Sequence, residues 1–495
     1  MLKSNKIRIS ALFIFIVIAI TLLIYVPTAI GLADNSDFNR TMRAFGLTSI
    51  SGLKYFSAEY GYKISNPTTI VQYFINMFLP VTDNPAGYYS TQFIFIKIAL
   101  FFNALANKLV QRDPSLFNML FQTVQFIIIY AFALVLFLKE KWKNNTYSNI
   151  AVKIVFAFIF FRLWLFGLLQ LFFLENQLHL FFLILSFVLL LYLEKDKHSY
   201  FVYLGLILSL FIFSGSKPAN FPSTLLLSVP LAYYAIKNEG MRKKIIICVS
   251  VVVMLFASYN YVKQAPEWMK NVTTFQAVFF GVLYNNPMPE QATKDLGLPP
   301  ELSKVESINA YVEHPLNPYN NFDSDFQSLF FDRISKIEVL KYYLTHPAFF
   351  AEKLDVSAEA ALPLRPTYLT NINLSNERAD LLFDFRMNVW ESIRKRFSGF
   401  ASVFLSIVLA LTLVNLIALF RKKASLYSIL LRLALLGAAA GQFIIPIVSN
   451  GNADLQKHMF LFNVHLDILI FLLVLDNLDF RSRTFRRIGI APCLF

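Results

Sequence analysis

The chain has 495 residues, of which 56% are hydrophobic and only 15% charged, and its mean hydropathy is +0.54. A compact water-soluble domain cannot bury that much apolar surface, so a soluble fold is excluded and the excess faces lipid. The net charge of +14 is concentrated in short loops between apolar runs, the positive-inside pattern of a membrane protein, which argues against a nucleic-acid-binding surface.

Taken in chain order, Lys3, Lys6 and Arg8 precede an apolar run over about residues 10–31. It is too long for a signal-peptide core and lacks an A-x-A cleavage site, so it reads as a retained first span with a cytoplasmic N-terminus. Further spans are predicted at 115–138, 148–167, 176–193, 199–214, 221–236, 245–262, 398–420, 430–448 and 459–476, giving an all-α polytopic membrane protein of about ten helices. Charge checks the parity. Lys139, Lys141 and Lys143 follow the second span, Lys195 and Lys197 the fourth, and Lys237, Arg242, Lys243 and Lys244 the sixth. Arg421, Lys422 and Lys423 follow the eighth, and Arg481, Arg483, Arg486 and Arg487 lie in the tail. All fall on the cytoplasmic side if the count is ten.

One stretch competes with this count. "STQFIFIKIALFFNALANKL", residues 90–109, would invert every later loop if it crossed the membrane. Its Lys97, Asn103, Asn107 and Lys108 suit an amphipathic helix lying in the interface, which leaves 32–114 as one long outer loop. Three parts follow: an N-terminal transmembrane module over 1–262, an extracytoplasmic segment over 263–397, and a C-terminal transmembrane module over 398–495 with a basic cytoplasmic tail. The middle segment has prolines and acids but keeps frequent Phe, Tyr and Leu, so it is an ordered cap and not a linker. Cys248 and Cys493 define neither a disulfide framework nor a metal site.

Polar residues at the predicted outer ends carry the chemistry. Asp34 and Asp37 follow the first span, three residues apart and so on one side of a helix. The bland reading makes Asp34, Asn35 or Ser36 a helix cap, with Asp37 favouring the positive helix end and Arg40 pairing with it. "FLENQLHL" sets Glu175 and His179 one turn apart, but two ligands alone do not make a metal site, and a polar helix start explains them as well. "FSGSKPANFPS" places Lys217 at an outer turn, where the charge bias predicts few cations. "SNGNADLQKHMFLFN" adds Asp454, Lys457 and His458, with an N-cap aspartate in a plain loop as the alternative. Jointly, acids from the first loop and cations from two later connections map to one face, suggesting a base opposite a phosphate-binding rim. No P-loop, G-x-G-x-x-G, H-E-x-x-H or G-x-S-x-G pattern stands in a suitable context, so ATP hydrolysis, dinucleotide redox chemistry and zinc proteolysis have no support.

At these residues the chain resembles a membrane glycosyltransferase of the GT-C type. More narrowly, "DNSDFNRTMRAFGL", "FFGVLYNNPMPEQATKDLGLPPEL", "YYLTHPAFFAEKLDVSAEAALPLRPTYL" and "GNADLQKHMFLFN" resemble the WsfD-like surface-glycan hexose transferases. The resemblance implies a hexose taken from a polyprenyl-phosphate carrier and passed to a glycan or glycolipid acceptor at the outer face of a bacterial plasma membrane. It also implies that the acidic residue after the first span is the general base. That position corresponds to Asp37 or Asp34, and "DFNR" favours Asp37. Arg40, Arg43, Lys217, Lys457, His458 and, more weakly, Arg365 of "LPLRPTYL" are the donor-phosphate candidates. Two other classes compete: a lipid-linked glycan transporter or flippase, and a glycan polymerase or ligase. A transporter needs ionisable residues near mid-bilayer, whereas most here, Arg162 excepted, stand at the outer rim.

Overall fold

A computed structural model describes residues 2–25, 38–50, 61–82, 84–85, 87–160, 174–312, 317–319, 324–363 and 389–478. The protein is an all-α polytopic membrane protein carrying one small sheet. Its first half runs α1 (Leu2–Tyr25), α2 (Phe38–Arg43), β1 (Leu47–Ser49), β2 (Gly61–Ile64), α3 (Ile70–Asn76), α4 (Gln92–Leu109), β3 (Leu116–Asn118), α5 (Leu120–Lys139), α6 (Thr146–Phe160), α7 (Leu174–Glu194), α8 (Tyr200–Ser216), α9 (Phe221–Asn238) and α10 (Met241–Lys263). A segment of shorter helices follows, with α11 (Glu267–Ala277), α12 (Pro289–Asp295), α13 (Lys336–Thr345) and α14 (Pro347–Ala361). The chain then returns through α15 (Val389–Lys395), α16 (Ala401–Arg421), α17 (Leu426–Asn450), α18 (Leu455–His458) and α19 (Phe460–Asn477).

Among the described residues, six helices are long and apolar enough to cross a membrane: α4, α5, α10, Ser398–Arg421, α17 and α19. Shorter apolar helices stand at Ile7–Leu22, Thr146–Phe160, Leu180–Glu194 and Tyr200–Ser216. Two kinds of apolar helix can be told apart by what covers them. Every residue from Leu180 to Leu193 is buried, so α7 is the central helix, apolar all round because protein surrounds it. On α10 and α16 equally apolar residues stand exposed, Val252, Val253, Phe256, Leu409 and Val414 among them, as faces turned to lipid require. Helix α9 is less apolar because Ser223, Thr224 and Ser228 are buried between it and its neighbours, where protein partners replace lipid.

The contacts divide the bundle into two poles. At one, the Tyr192 hydroxyl donates to Leu136 O (2.6 Å), Tyr427 to Leu190 O (2.8 Å) and Tyr203 to Glu239 (2.9 Å). The basic loops after α5, α7, α9 and α16 all gather there, as the charge pattern requires. Arg432 of α17 lies at this pole too, 4% exposed, bridging Glu194 at the end of α7 and Asp476 at the end of α19. Asn415 adds a bond to Asp476 at 2.8 Å.

The 90–109 stretch belongs to the opposite pole. It forms one 18-residue helix, α4, which by length and composition could span. Its contacts show where it lies. Asn103 and Asn107 donate to Leu116 O at 2.8 and 2.7 Å, beyond the start of α5, while Gln125 in the second turn of α5 donates to Phe95 O at 3.1 Å. Thr91, just before α4, donates its N–H to Gly215 O at the end of α8 (2.9 Å). Helix α4 therefore packs beside the first turns of α5 and projects past them, whereas the far half of α5 is covered by α6 and α19 through Phe137, Phe156 and Phe471.

The sheet was not expected in the first loop. Strand β2 pairs antiparallel with both β1 and β3, so the loop folds back onto the segment leading into α5.

The segment over α11–α14 holds an aromatic cluster of Phe275, Phe279, Phe326 and Phe330, continuous with the core of the bundle. It meets the α17–α18 loop at a crossing of two glycines. Gly451 has φ +56, and a Cβ there would sit 2.6 Å from Gln276 O and 2.7 Å from Gly281 Cα. Any side chain here is strained both by the positive φ and by backbone contact. Asn452 N–H closes the crossing by donating to Phe280 O at 2.9 Å.

Candidate functional site

The pole away from the basic loops holds a small cleft of about 40 Å³ where α8 turns into α9 and the α17–α18 loop passes over it. Lys217, Lys457 and His458 all line it. Far apart in sequence, they are brought together by two local devices. After Ser216 the chain leaves α8 through an extended Lys217, then makes one 3₁₀ turn, Pro218–Asn220, before α9 starts. Pro218 fits the first position of that turn, where no N–H is needed. On the other side, Gly451 and Asp454, with φ +56 and +48, bend the loop so that α18 presents Lys457 and His458.

Asp454 occupies the N-cap position of α18, as the sequence allowed, but does not cap it with its side chain. It is left-handed at the N-cap position, its side chain makes no cap bond, and it pairs instead with Lys457 at 3.2 Å. Lys457 is thereby held at the cleft while the carboxylate stays half-exposed.

The first-loop helix is tied to the same place. Gln92 Nε2 donates to Thr41 Oγ1 of α2 at 2.8 Å, with both residues buried, and Phe45 packs edge-on to Phe93 at 5.1 Å. From the start of α4, Ser90 Oγ and Tyr88 OH donate to Ser216 O at 3.0 and 3.1 Å. Helix α2 is thus anchored, through three residues before and at the start of α4, to the residue preceding Lys217.

Of the expected site residues, then, Lys217, Lys457 and His458 share one cleft, and Asp454 stands beside it. Arg43 is exposed at the end of α2. Asp34, Asp37, Arg162 and Arg365 lie outside the described residues, as do the side chains of Arg40, Glu175 and His179, whose backbones belong to α2 and to the first turns of α7.

The sequence reading passed over several groups. Asn220 and Gln442 also line the cleft, 0% and 2% exposed. Buried ionisable groups were also passed over: Arg432 of α17 forms the three-way network above, and Arg394 of the short α15 meets Asp467 of α19 at 3.5 Å, with side chains 1% and 5% exposed. Arg394 also donates to Asn463 Oδ1 and, at 2.8 Å, to Ala361 O. Charged residues inside apolar runs 430–448 and 459–476 were the available signal.

Across the α17–α19 seam from the cleft lies a larger apolar groove of about 600 Å³. Ala351 and Leu354 of α14 cover one end, and Leu405, Leu409, Ala439 and Phe443 of the spans form its walls. Asp355, accepting from Ser402 Oγ, stands among the lining residues. Phe443 and Phe462, with ring centroids 4.9 Å apart, close the seam between groove and cleft.

Over residues 1–487 the chain matches the family model described as YfdI N-terminal transmembrane domain, and it belongs to that family. No curated protein and no solved structure matches it.

Proposed function

We propose that this member of the YfdI N-terminal transmembrane family is a GT-C type glycosyltransferase. In this reading it moves a hexose from a polyprenyl-phosphate carrier to a surface-glycan or glycolipid acceptor. The carrying observation is the convergence of Lys217, Lys457 and His458 on one cleft to which the first-loop helix is tied. Three potential cations gathered around one cleft suit an anion, and the N-terminus of α9 adds its partial positive charge there.

The chemistry follows from charge. An acceptor hydroxyl attacks the anomeric carbon as a first-loop carboxylate, Asp37 or Asp34, removes its proton. The bond from that carbon to the carrier phosphate breaks, and its electron pair leaves on the phosphate. Direct displacement inverts the anomeric configuration. General-base assistance is worth about 10²- to 10⁴-fold, and fixed cations stabilise the charge growing on the phosphate in a poorly hydrated site. The apolar groove suits the carrier's hydrocarbon chain, and the α11–α14 segment suits a cover over the acceptor. With the basic pole cytoplasmic, as the positive-inside rule requires, both termini are inside and the cleft faces the outside of a bacterial plasma membrane.

A lipid-linked glycan transporter is the second reading, favoured by the buried Arg394–Asp467 pair. One experiment separates them. Proteoliposomes carrying the full chain are given radiolabelled polyprenyl-phosphate glucose, mannose or galactose together with extracted surface glycan. Transfer of label to glycan, lost in Asp37→Asn or Asp34→Asn, supports the enzyme. Movement of intact donor between leaflets without bond cleavage supports the transporter. Wild-type transfer by both folded Asn variants removes the base assignment.

A further inference from the structure

The cleft contains more than its cations. Asn220 is fully buried, and its Nδ2 donates to Phe213 O at 2.7 Å and to Ser216 Oγ at 3.0 Å. Gln442 repeats the arrangement from the opposite wall, its Nε2 donating to Ala219 O at 2.7 Å and to Ser223 Oγ at 3.0 Å. A backbone carbonyl only accepts, so each amide is fixed with its nitrogen toward that carbonyl and cannot be flipped. Both donors of each amide are committed, and what each has left is a carbonyl oxygen. Asn220 Oδ1 has no hydrogen-bond partner at 0% residue exposure, and among the described residues no hydrogen bond falls to Gln442 Oε1. A buried acceptor left without a partner is costly, so such an atom on a residue that lines a cleft calls for a donor from outside the fold.

The donor's nature follows from size and neighbours. A volume of about 40 Å³ admits one or two groups the size of water and no sugar ring. Two neutral acceptors repel a phosphate oxygen and attract a hydroxyl. Lys217, Lys457 and His458 at the same cleft take the anion instead. We infer that Asn220 and Gln442 are specificity-determining residues that accept hydrogen bonds from one hydroxyl or hydroxymethyl arm of a hexose whose phosphate is held by these cations. The ring stands outside the cleft, and hexoses are sorted by whether a hydroxyl reaches in. This inference rests on the proposed reading of the cations as a sugar-phosphate site and adds which part of the sugar is recognised.

The test uses the full chain in detergent micelles and four probes: inorganic phosphate and the 1-phosphates of glucose, mannose and galactose, with affinities measured by calorimetry. At least one hexose phosphate is expected to bind about 10-fold more tightly than phosphate, as one or two hydrogen bonds supply. Gln442→Met, which keeps the side-chain volume in α17, is expected to cut that preference to roughly 3-fold or less while phosphate affinity stays within about 2-fold. Asn220→Ala is expected to do the same, and thermal unfolding of each variant without ligand reports whether it folds. Since Asn220 also ties Phe213 to Ser216, Gln442→Met carries the test if Asn220→Ala unfolds. Hexose phosphates bound no better than phosphate by the wild type, or full preference kept in folded Gln442→Met, overturns the inference and leaves the cation site standing. Failure of the wild type to bind phosphate and hexose phosphates alike overturns the sugar-phosphate reading itself.

Discussion

The two poles of the bundle use charge in opposite ways. At the basic pole the deeply buried charge is paired: Arg432 lies between Glu194 and Asp476, and Asn415 also donates to Asp476. At the other pole Lys217, Lys457 and His458 gather round a cleft whose wall contains an acceptor with no partner. A paired network ties helix ends together. A cluster of potential cations beside an unsatisfied amide is poorly arranged for stability and well arranged for a ligand. The difference separates a buried ion network between helix ends from a cluster of potential cations that lines a cleft.

Breaking the paired pole has the largest expected effect. Arg432→Met leaves two carboxylates facing each other in a buried site and is expected to cost about 3–5 kcal/mol, read as loss of monodisperse protein and a large fall in Tm. The triple variant Arg432→Met, Glu194→Gln, Asp476→Asn is expected to recover most of that. At the other pole the effect moves from stability to chemistry. Lys217→Met and Lys457→Met are expected to leave unfolding free energy within about 1 kcal/mol of wild type while transfer in proteoliposomes falls on the order of 10²-fold, the scale of losing one charge-stabilising donor. A stability loss in these variants equal to that of Arg432→Met would erase the contrast between the poles.

Gly451→Ala probes the backbone that shapes the cleft. Positive φ and a Cβ 2.6 Å from Gln276 O are expected to cost about 2 kcal/mol. Gly240→Ala, where an added Cβ meets nothing within 4 Å, is the neutral control in thermal unfolding. An effect confined to alkaline pH is expected at Lys336 of α13, outside the six long apolar helices. Burial pushes its ammonium down to about 8 from the ordinary 10.5. Between those values the unfolded chain binds the extra proton, so stability rises with pH across that window, and Lys336→Met is expected to flatten the rise in a Tm-against-pH series.

Much of this architecture was legible in the residues. Apolar runs bounded by basic loops fix most spans, and even α9, with its buried serines, keeps a helix-length apolar stretch. The sheet was not legible, because Leu47–Ser49 and Leu116–Asn118 are three-residue strands whose pairing depends on contacts far along the chain. In the site, Lys217 stood out because the charge bias predicts few cations at that turn, and Lys457 because it stands beside His458 in a short loop. Asn220 and Gln442 did not, since a neutral amide in a polar turn or a small-residue helix is unremarkable until its partners fix which atom is left over. The Arg394–Asp467 pair required knowing that α15 folds back against α19.

The crossing of Gly281 and Gly451 has a mechanical consequence. Two backbones touch there with no side chain between them to absorb a displacement, and the Asn452–Phe280 bond rivets the contact. The α11–α14 segment and the loop that carries Lys457 and His458 are therefore joined backbone to backbone, so a displacement of one is passed to the other, whereas Lys217 stands on the separate α8–α9 turn.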